Sequence, residues 1–301
     1  MMSEKVGGIL CVGLTPSLQR TIGFTDLQIG QVNRAASVTV SSGGKPINVA
    51  RALRGLGESP LVTGFAGGDT GHAMVTFLRD LGLETDMVWT SQATRICTTL
   101  IDEATASVTE LVEEAQLPSP DEWSALDEKI SFLLSKCHMM VLAGAPPPGS
   151  PRDIYAKLSQ QAQEAGSEVL IDARGEALMD ALPCAPLLAK LNDEELAATC
   201  GKPVDTEECL REAGCELIEK GAQWLLITCG KMDAWLLNDI AAWRFTPPAV
   251  EALNAVGSGD ATMGRYHCWA APRSAHAGCR STRDRLWLCG CYDAHSGRPG
   301  R

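Results

Sequence analysis

The sequence predicts an α/β fold in which helices cover both faces of a mostly parallel sheet. From residue 8 to residue 264, short apolar runs alternate with longer stretches whose apolar residues recur at helical spacing. The short runs are almost continuously apolar, as is typical of parallel strands buried on both faces. Two segments of a different kind, in which β-branched and polar residues alternate, predict a second and smaller sheet.

Strands of the central sheet are predicted at 8–14, 60–66, 138–143, 168–172 and 223–228. Helices are predicted at 45–56, 71–81, 120–136, 151–165, 175–182, 193–200 and 206–220. The stretch at 120–136 begins with Pro-Asp, which is a helix-start signal. Strands that alternate with helices of this length predict a parallel sheet, because parallel neighbours need a long crossover connection.

The smaller sheet is predicted from residues 15–41 and 88–112, which contain the stretches AASVTVS and TRICTTLIDEATASVTELV. In the second stretch, DEATAS has the composition of a turn between two strands. We expect an antiparallel sheet at one edge of the α/β core. A sheet that lies over the carboxyl ends of parallel strands would act as a lid on an active site.

Charge divides the chain into two parts near residue 264. The net charge is −11, but residues 265–301 contain seven Arg and two Asp, so residues 1–264 carry −16. An acidic body argues against a nucleic-acid partner, which would require clustered Lys and Arg. Residues 265–301 also lack Val, Ile, Lys and Glu and follow neither structural period. We expect one domain over residues 1–264, followed by a tail that is frameshifted or disordered.

The remaining composition favours a cytoplasmic protein with no membrane partner. No apolar run reaches the roughly 18 residues that a membrane-spanning helix needs. The first residues, MMSEKVGGILCVGL, lack the basic and long apolar regions of a signal peptide. Eight cysteines are scattered singly through residues 1–264, which is typical of reduced thiols in the cytosol.

The segment NAVGSGDATMG contains a candidate phosphate site at Gly257, Ser258, Gly259 and Asp260. Glycines leave backbone N–H groups accessible, and a helix that begins here would favour an anion at its N-terminus. A carboxylate repels phosphate, so Asp260 suits a general base that takes a proton from an attacking hydroxyl. The alternative is a glycine-rich turn in which Asp260 caps a helix.

The segment SGGKPINVARALRGLG offers a candidate ligand site at a helix start. Gly43 and Gly44 would open the helix, with Lys45 and Asn48 directed at a ligand. The alternative is an ordinary helix start with Pro46 in its first turn. The segment is not a Walker phosphate loop, and no G-x-G-x-x-G follows the first strand, which disfavours a dinucleotide enzyme.

The segment KLNDEEL offers a candidate metal site. Asn192 and Glu195 lie three residues apart, on one face of a helix. Such a pair could hold a hydrated Mg²⁺ through water, while Lys190 meets a phosphate oxygen. The alternative is a solvated helix start that is capped by the Asn.

The order and spacing of these motifs resemble those of the ribokinase-like, pfkB-type carbohydrate kinases. SGGKPINVARALRGLGESPLVTGFAGGDTG is similar to the N-terminal signature of that family, and AGAPPPGSP, LIDARGEAL, KLNDEEL, LLITCGKMDAWLL and NAVGSGDATMG follow in the family's order. GQVNRA and TELVEE are most similar to the hexose-phosphate kinase branch, which contains 1-phosphofructokinase and tagatose-6-phosphate kinase.

The resemblance covers about residues 8–264 and implies a ribokinase-like three-layer α/β/α sandwich with a small β-sheet lid. After GSGDATMG the family continues with a long Ala/Gly/Leu helix, which is not recognisable here. The C-terminal helices of the family are therefore expected to be missing. Family lids often pair between subunits, so the resemblance also implies a homodimer formed through the lid.

The resemblance implies ATP-dependent phosphorylation of a hydroxyl on a sugar or sugar phosphate. Asp260 would be the base, and the amides of Gly257–Gly259 would stabilise the transferring phosphoryl group. ATP and Mg²⁺ would be held by Lys190, Asn192, Glu195, Thr228 and Gly230, with Asn192 and Glu195 binding Mg²⁺ through water. Of these, Lys190 would neutralise phosphate charge and the last two would line the nucleotide site.

For the sugar, the resemblance implies Gly44 and Asn48 at its hydroxyls, and Arg34 and Arg95 at a substrate phosphate. Where hexose-phosphate kinases usually read Asn-Pro-Ala-Leu-Asp, this chain reads TPSLQ, which places Gln19 at a sugar-binding position. An amide both donates and accepts, so sugar binding is retained while specificity is open. Two alternatives stay open: a catalytically impaired product that only binds ligand, and a nucleoside kinase of the same fold.

Overall fold

The computed structural model describes residues 8–230 and 232–246. The predictions for Gly257–Asp260 and for the tail 265–301 therefore lie outside the described residues. Within the described ranges the chain forms two sheets and a set of helices around them. None of the helices described is long and apolar enough to cross a membrane.

The larger sheet has nine strands in the described part of the chain. In order across the sheet they are β13 (Ala242–Phe245), β12 (Ala234–Leu237), β11 (Leu225–Thr228), β10 (Leu188–Asn192), β9 (Glu168–Asp172), β8 (Met139–Ala143), β1 (Ile9–Gly13), β4 (Pro60–Gly67) and β5 (Glu84–Thr90). The strands from β11 to β5 are parallel, and β12 and β13 are antiparallel additions at one edge. The mostly parallel central sheet is confirmed.

Helices cover this sheet on both faces. They are α1 (Lys45–Gly55), α2 (Gly68–Asp80), α3 (Pro120–Leu134), α4 (Ile154–Glu164), α5 (Gly175–Ala181), α6 (Asp193–Cys200) and α7 (Glu207–Glu219), with a short 3-10 turn at Leu182–Cys184. Apolar residues of α1 and α2 pack in one buried cluster, and those of α3 to α7 pack in the other. This arrangement is the expected three-layer sandwich.

The helix starts follow from local chemistry. Ser119 precedes α3 and forms a reciprocal capping box with Glu122, in which each side chain accepts a hydrogen bond from the other's backbone N–H. Glu122 Oε1 also accepts from the backbone N–H of Ser91, which fastens the loop after β5 to α3. Burial opposes ionisation of Glu122, but these hydrogen bonds outweigh it and lower the pKa of the carboxyl.

The smaller sheet has the strand order β3–β2–β6–β7, with β2 (Ser17–Phe24), β3 (Ser37–Gly43), β6 (Ile96–Asp102) and β7 (Ser107–Val112). We call this sheet the lid. Each sequence segment forms an antiparallel pair as expected, but β2 and β6 join the two pairs in parallel, so the expectation of a purely antiparallel sheet is wrong. Residues 88–90 also belong to β5 in the main sheet and not to the lid.

The order in which successive strands are added to the main sheet reverses at β1. The chain runs from β1 through the lid to β4 and β5 on one side, and later returns to β8 on the other side. Gly64 permits the tight pairing of β1 with β4, because its φ is +137° and a Cβ there would lie 1.9 Å from the carbonyl oxygen of Gly13. Ligands of open parallel sheets bind at the carboxyl ends of the strands beside such a switch point.

Candidate active site

Polar residues collect at the carboxyl ends of β9 and β10, on the β8 side of the switch point. Asp172 ends β9 and Asn192 ends β10, and their strands are paired in register. Lys45 is the first residue of α1, which packs on β1, β4 and β8. The parallel sheet therefore brings together residues that are far apart in the sequence.

A cluster of four charges forms the centre of this site. Asp172 is fully buried, and its two carboxylate oxygens pair with two ammonium groups, Lys45 Nζ at 2.7 Å and Lys190 Nζ at 3.0 Å. Lys45 Nζ also lies 3.4 Å from Glu195 Oε1. We call Lys45, Asp172, Lys190 and Glu195 the charge cluster.

The four formal charges of the charge cluster sum to zero, so burying them together costs less free energy than burying each of them separately. The side chain of Lys190 is only 4% exposed and that of Glu195 is 13% exposed. Isolated charges at such positions would cost several kcal/mol each, so each needs its partner. Tyr155 lies beneath the cluster and donates a hydrogen bond to the carbonyl oxygen of Gly144 at 2.9 Å. Burial first, and then the Asp172 carboxylate, raise the pKa of Tyr155, which keeps the phenol protonated.

Sequence reasoning identified three members of the cluster as candidates and missed Asp172. The signal was present, since Asp172 is the last residue of an apolar strand in LIDARGEAL, and a charge at that position must find a partner in the fold. Sequence alone did not show which partner, because Lys45 is 127 residues away.

Asn192 and Glu195 form a capping box at the start of α6. The Asn192 side chain accepts from the backbone N–H of Glu195 at 2.7 Å, and Glu195 Oε2 accepts from the backbone N–H of Asn192 at 3.0 Å. The ordinary interpretation of KLNDEEL as a capped helix start is therefore correct in geometry. It leaves Glu195 Oε1, beside Lys45, as the carboxylate oxygen that faces the cluster.

This donor set fits a hydrated Mg²⁺ better than a directly ligated one. Two of the polar atoms of Asn192 and Glu195 already bond to the backbone, and among the described residues no group of three or more metal-binding side chains comes together. Mg²⁺ in phosphate-transfer sites keeps several waters and relies on substrate phosphates for other ligands. The positions of Asn192 and Glu195 are compatible with contact to such an ion through water, and their role at Mg²⁺ stays a prediction.

The predicted nucleotide residues lie at the end of the adjacent strand. Thr228 is the last residue of β11 and is directly paired with Asn192, so the expected ATP and Mg²⁺ residues are neighbours across two strands. Gly230 follows in the left-handed conformation, with φ of +58° and open space where a side chain would lie. Between them, burial and the carboxylates of Asp193 and Asp233 raise the pKa of Cys229 to about 11, which keeps this thiol mostly protonated near neutral pH.

Gly44 and Asn48 lie on either side of Lys45 in the sequence, where the chain passes from the lid into α1. Gly44 has φ of +116°, and a Cβ there would lie 3.3 Å from Pro16 Cα. It therefore permits a close crossing of two chain segments. Asn48 is half-buried one turn later, and its backbone N–H donates to the Gly44 carbonyl.

The two predicted phosphate-binding arginines are in different environments. Arg95 donates to the carbonyl oxygen of Thr15 through Nε and a terminal nitrogen, at 3.2 and 2.8 Å, and to that of Glu113 at 3.0 Å. It thereby ties together three of the chain crossings between the main sheet and the lid. Arg34 lies exposed in the loop between β2 and β3. Their role at a substrate phosphate stays a prediction.

A shallow cleft adjoins Arg95 where the lid meets the main sheet. It is lined by Thr15, Phe65, Thr90, Thr94 and Gln116 among others. Thr15 and Pro16 line this cleft and also lie against Gly44, the residue before Lys45.

Comparison with known proteins identifies the family. Residues 8–268 match the family described as pfkB family carbohydrate kinase. The chain belongs to this family of sugar kinases. Its enzyme class is accordingly that of phosphotransferases that act on sugars.

Solved structures of similar kinases share the fold. Phosphofructokinase-2 from Escherichia coli, solved in complex with fructose 6-phosphate, is 27% identical and superposes with a TM-score of 0.80 over 88% of this chain and 86% of its own. A tetrameric inhibited form of that enzyme has a TM-score of 0.81, also at 27% identity, over 88% of both chains.

Two more distant kinases support the fold alone. A Thermotoga maritima protein described as a possible 1-phosphofructokinase is 23% identical, with a TM-score of 0.82 over 94% of this chain and 89% of its own. Ribokinase from Arabidopsis thaliana, complexed with ribose and ATP, is 15% identical, with a TM-score of 0.70 over the same shares of the two chains. The expected ribokinase-like α/β fold is thus confirmed.

Proposed function

We propose that this kinase transfers the γ-phosphoryl group of ATP to a hydroxyl of a sugar phosphate. The observation that carries the proposal is the charge cluster at the carboxyl ends of β9 and β10, in which Asp172 orients Lys190. Phosphoryl transfer depends mainly on positioning and on neutralising spread negative charge. The cluster has no net charge of its own, so its proposed part is to position Lys190, whose ammonium group would meet the phosphate oxygens.

In the proposed reaction the substrate hydroxyl attacks the γ-phosphorus of ATP. The new oxygen–phosphorus bond forms while the bond to the oxygen of ADP breaks, and the hydroxyl proton passes to Asp260 as general base. Amides of Gly257, Ser258 and Gly259 would stabilise the transferring group. These four residues are proposed from the sequence, since they lie outside the described residues.

Mg²⁺ is the proposed partner of ATP. Asn192 and Glu195 would hold it through water, and when bound it would neutralise charge on the phosphates. Lys45 would stabilise the Glu195 carboxylate beside it, and Thr228 and Gly230 would line the nucleotide site. The neighbouring registers of Asn192 and Thr228 support this grouping.

The proposed acceptor is a hexose phosphate. A similar kinase, 27% identical, was solved with fructose 6-phosphate, and the segments GQVNRA and TELVEE resemble the hexose-phosphate kinase branch. Arg34 and Arg95 would meet the substrate phosphate, and Gly44 and Asn48 the sugar hydroxyls. ATP consumption is to be measured with fructose 1-phosphate, fructose 6-phosphate, tagatose 6-phosphate, unphosphorylated sugars and adenosine.

The decisive variant for this assay is Asp260→Asn. It keeps the shape of the side chain and removes the base, so we expect kcat to fall by at least about 100-fold with little change in KM. Turnover that is unchanged in Asp260→Asn would refute the proposed base. Turnover with adenosine and with no sugar would favour a nucleoside kinase instead.

A homodimer formed through the lid is also proposed. Val38, Val40 and Leu111 are 53%, 36% and 53% exposed, and their register places them on one face of the lid. An exposed aliphatic face of this kind is typical of a protein–protein interface. Light scattering on the purified protein measures the assembly directly, and a mass of one chain at micromolar concentration would contradict the dimer.

We propose that residues 1–264 form the kinase domain and that the tail 265–301 is not part of it. The family match ends at residue 268, close to the point where the composition changes. A change of reading frame near codon 264 accounts for the abrupt change. One of the other two frames downstream of that codon should then encode an Ala/Gly/Leu-rich helix, and the absence of such a helix from both frames would eliminate the idea.

We also propose a cytoplasmic location. The eight cysteines of the described part are free thiols, which supports it.

A further inference from the structure

Gln19 replaces the carboxylate that the resemblance leads us to expect at a sugar-binding position, and both ends of its amide have identifiable neighbours in the lid. It lies on β2 and pairs with Cys97 of β6, so Thr99, two residues further along β6, lies on the same face of the lid. Gln19 Nε2 donates a hydrogen bond to Thr99 Oγ1 at 2.8 Å. Thr99 is only 1% exposed, so its hydroxyl is fixed inside the lid.

The other end of the Gln19 amide faces the crossing into α1. A Cβ built on Gly43 would lie 3.1 Å from Gln19 Cβ and 3.2 Å from Gln19 Oε1. The amide oxygen therefore lies over Gly43, immediately before Gly44, where the sugar hydroxyls are proposed to bind. The absence of a side chain at Gly43 leaves the space that this orientation needs.

A glutamine side chain does not fix its own orientation. The terminal torsion of a glutamine is broad and roughly two-fold, so the oxygen and the NH₂ group exchange places easily. A neighbouring group that binds one end of the amide holds the other end toward the ligand. In this lid that group is the Thr99 hydroxyl, which accepts from Nε2 and leaves Oε1 over Gly43.

We infer that Thr99 is a positioning residue for substrate specificity, which makes Gln19 present an acceptor oxygen to a sugar hydroxyl. The uncharged amide then takes the accepting role of a carboxylate at this position without its charge. The inference rests on the proposed function, since it assumes that a sugar binds beside Gly44. Because no ionisation is involved, binding through Gln19 has no pH dependence of its own between pH 5 and 9.

The test uses the full chain and fructose 6-phosphate as the probe, with Kd measured by calorimetry and KM by ATP consumption. Thr99→Val removes the hydroxyl and keeps the shape. We expect Kd and KM for the sugar phosphate to rise by roughly fivefold, the value of one neutral hydrogen bond. The KM for ATP and kcat should change by less than about twofold, and Thr99→Ser should restore wild-type binding.

Matched variants separate positioning from structural damage. The control is Thr85→Val, on β5 of the main sheet and outside the lid, which should leave Kd unchanged. In a Gln19→Leu background, Thr99→Val should have no further effect on Kd, because the group that it positions is gone. If Thr99→Val does not fold, Thr99→Ala gives the same comparison.

The possible results have distinct meanings. Wild-type binding with an equal Kd in Thr99→Val overturns the role of Thr99 and leaves the proposed kinase intact. The same conclusion follows if Thr99→Val weakens binding equally in the Gln19→Leu background. A wild-type chain that neither binds nor phosphorylates any sugar phosphate overturns the proposed acceptor and this inference together.

Discussion

Asp172→Asn tests the energetic centre of the site. The substitution keeps the size of the side chain and removes its charge, so two ammonium groups lose their shared partner. Lys45 is 32% exposed and keeps Glu195 nearby, so it loses little. Lys190 is 4% exposed and would be left as a buried charge without a counter-ion.

The magnitude follows from that difference in exposure. Breaking a buried ion pair from one side costs about 3–5 kcal/mol of unfolding free energy. Asn retains one acceptor oxygen, so we expect a loss of about 2–4 kcal/mol from a total that is typically about 5–15 kcal/mol. Urea unfolding followed by tryptophan fluorescence measures it, and ATP affinity should fall as well because Lys190 is no longer held.

The control is Asp180→Asn, which removes a carboxylate from a surface pair. Asp180 lies 3.6 Å from Arg152, whose side chain is 68% exposed, so its loss should cost at most about 1 kcal/mol. If Asp172→Asn unfolds at the same urea concentration as the wild type, the charge cluster does not stabilise the fold. Equal losses in the two variants would show that burial does not decide the energetics of these pairs.

Two further substitutions test the framework around the site. Gly64→Ala should destabilise the protein by more than about 3 kcal/mol, because its Cβ would overlap the Gly13 carbonyl. Its control, Gly57→Ala, has φ of +91° and open space around it, so it should cost only about 1–2 kcal/mol. Thermal unfolding that ranks the two variants in the opposite order would be inconsistent with this packing. Glu122→Gln leaves one acceptor oxygen for the backbone N–H groups of Ser119 and Ser91, so it should lower stability at pH 7 by about 1 kcal/mol through the loss of one hydrogen bond to a charged group. Because the folded pKa of Glu122 is lowered, that contribution is present above its unfolded value of about 4.3 and disappears as pH falls through the folded pKa. Urea unfolding of both proteins from pH 7 to pH 3 should show the gap closing, and a gap that widens in acid would contradict the assignment.

The elements that sequence predicted well are those whose pattern is complete within a short window. The buried strand β9 and the helix α5 have the predicted starts, 168 and 175, because their apolar runs and turn residues are local signals. The strand β10 was missed because it contains Lys190 and ends in Asn192, so its residues do not form a continuous apolar run. The groups that pair with these polar side chains come from distant parts of the chain. The strand β5 was assigned in part to the lid, because an edge strand and a lid strand have the same alternating pattern.

The parallel pairing of β2 with β6 also could not be predicted from the sequence pattern. A local turn such as the one within DEATAS specifies an antiparallel hairpin, but nothing local specifies how two hairpins meet. The register of β2 against β6 places Gln19 diagonally opposite Thr99, and the hydrogen bond between the two side chains orients the Gln19 amide.

By itself the sequence determined the alternation of strands and helices, the candidate motifs and the family resemblance, because each depends on residue type and spacing along the chain. Only the tertiary structure decided that Asp172 joins Lys45 to Lys190, and that Arg95 ties three chain crossings together. The contact of Lys45 with Asp172 links residues 127 positions apart, and that of Arg95 with Thr15 links residues 80 positions apart. They exist because a parallel sheet gathers the carboxyl ends of distant strands at one edge, where buried charges must pair or remain unsatisfied.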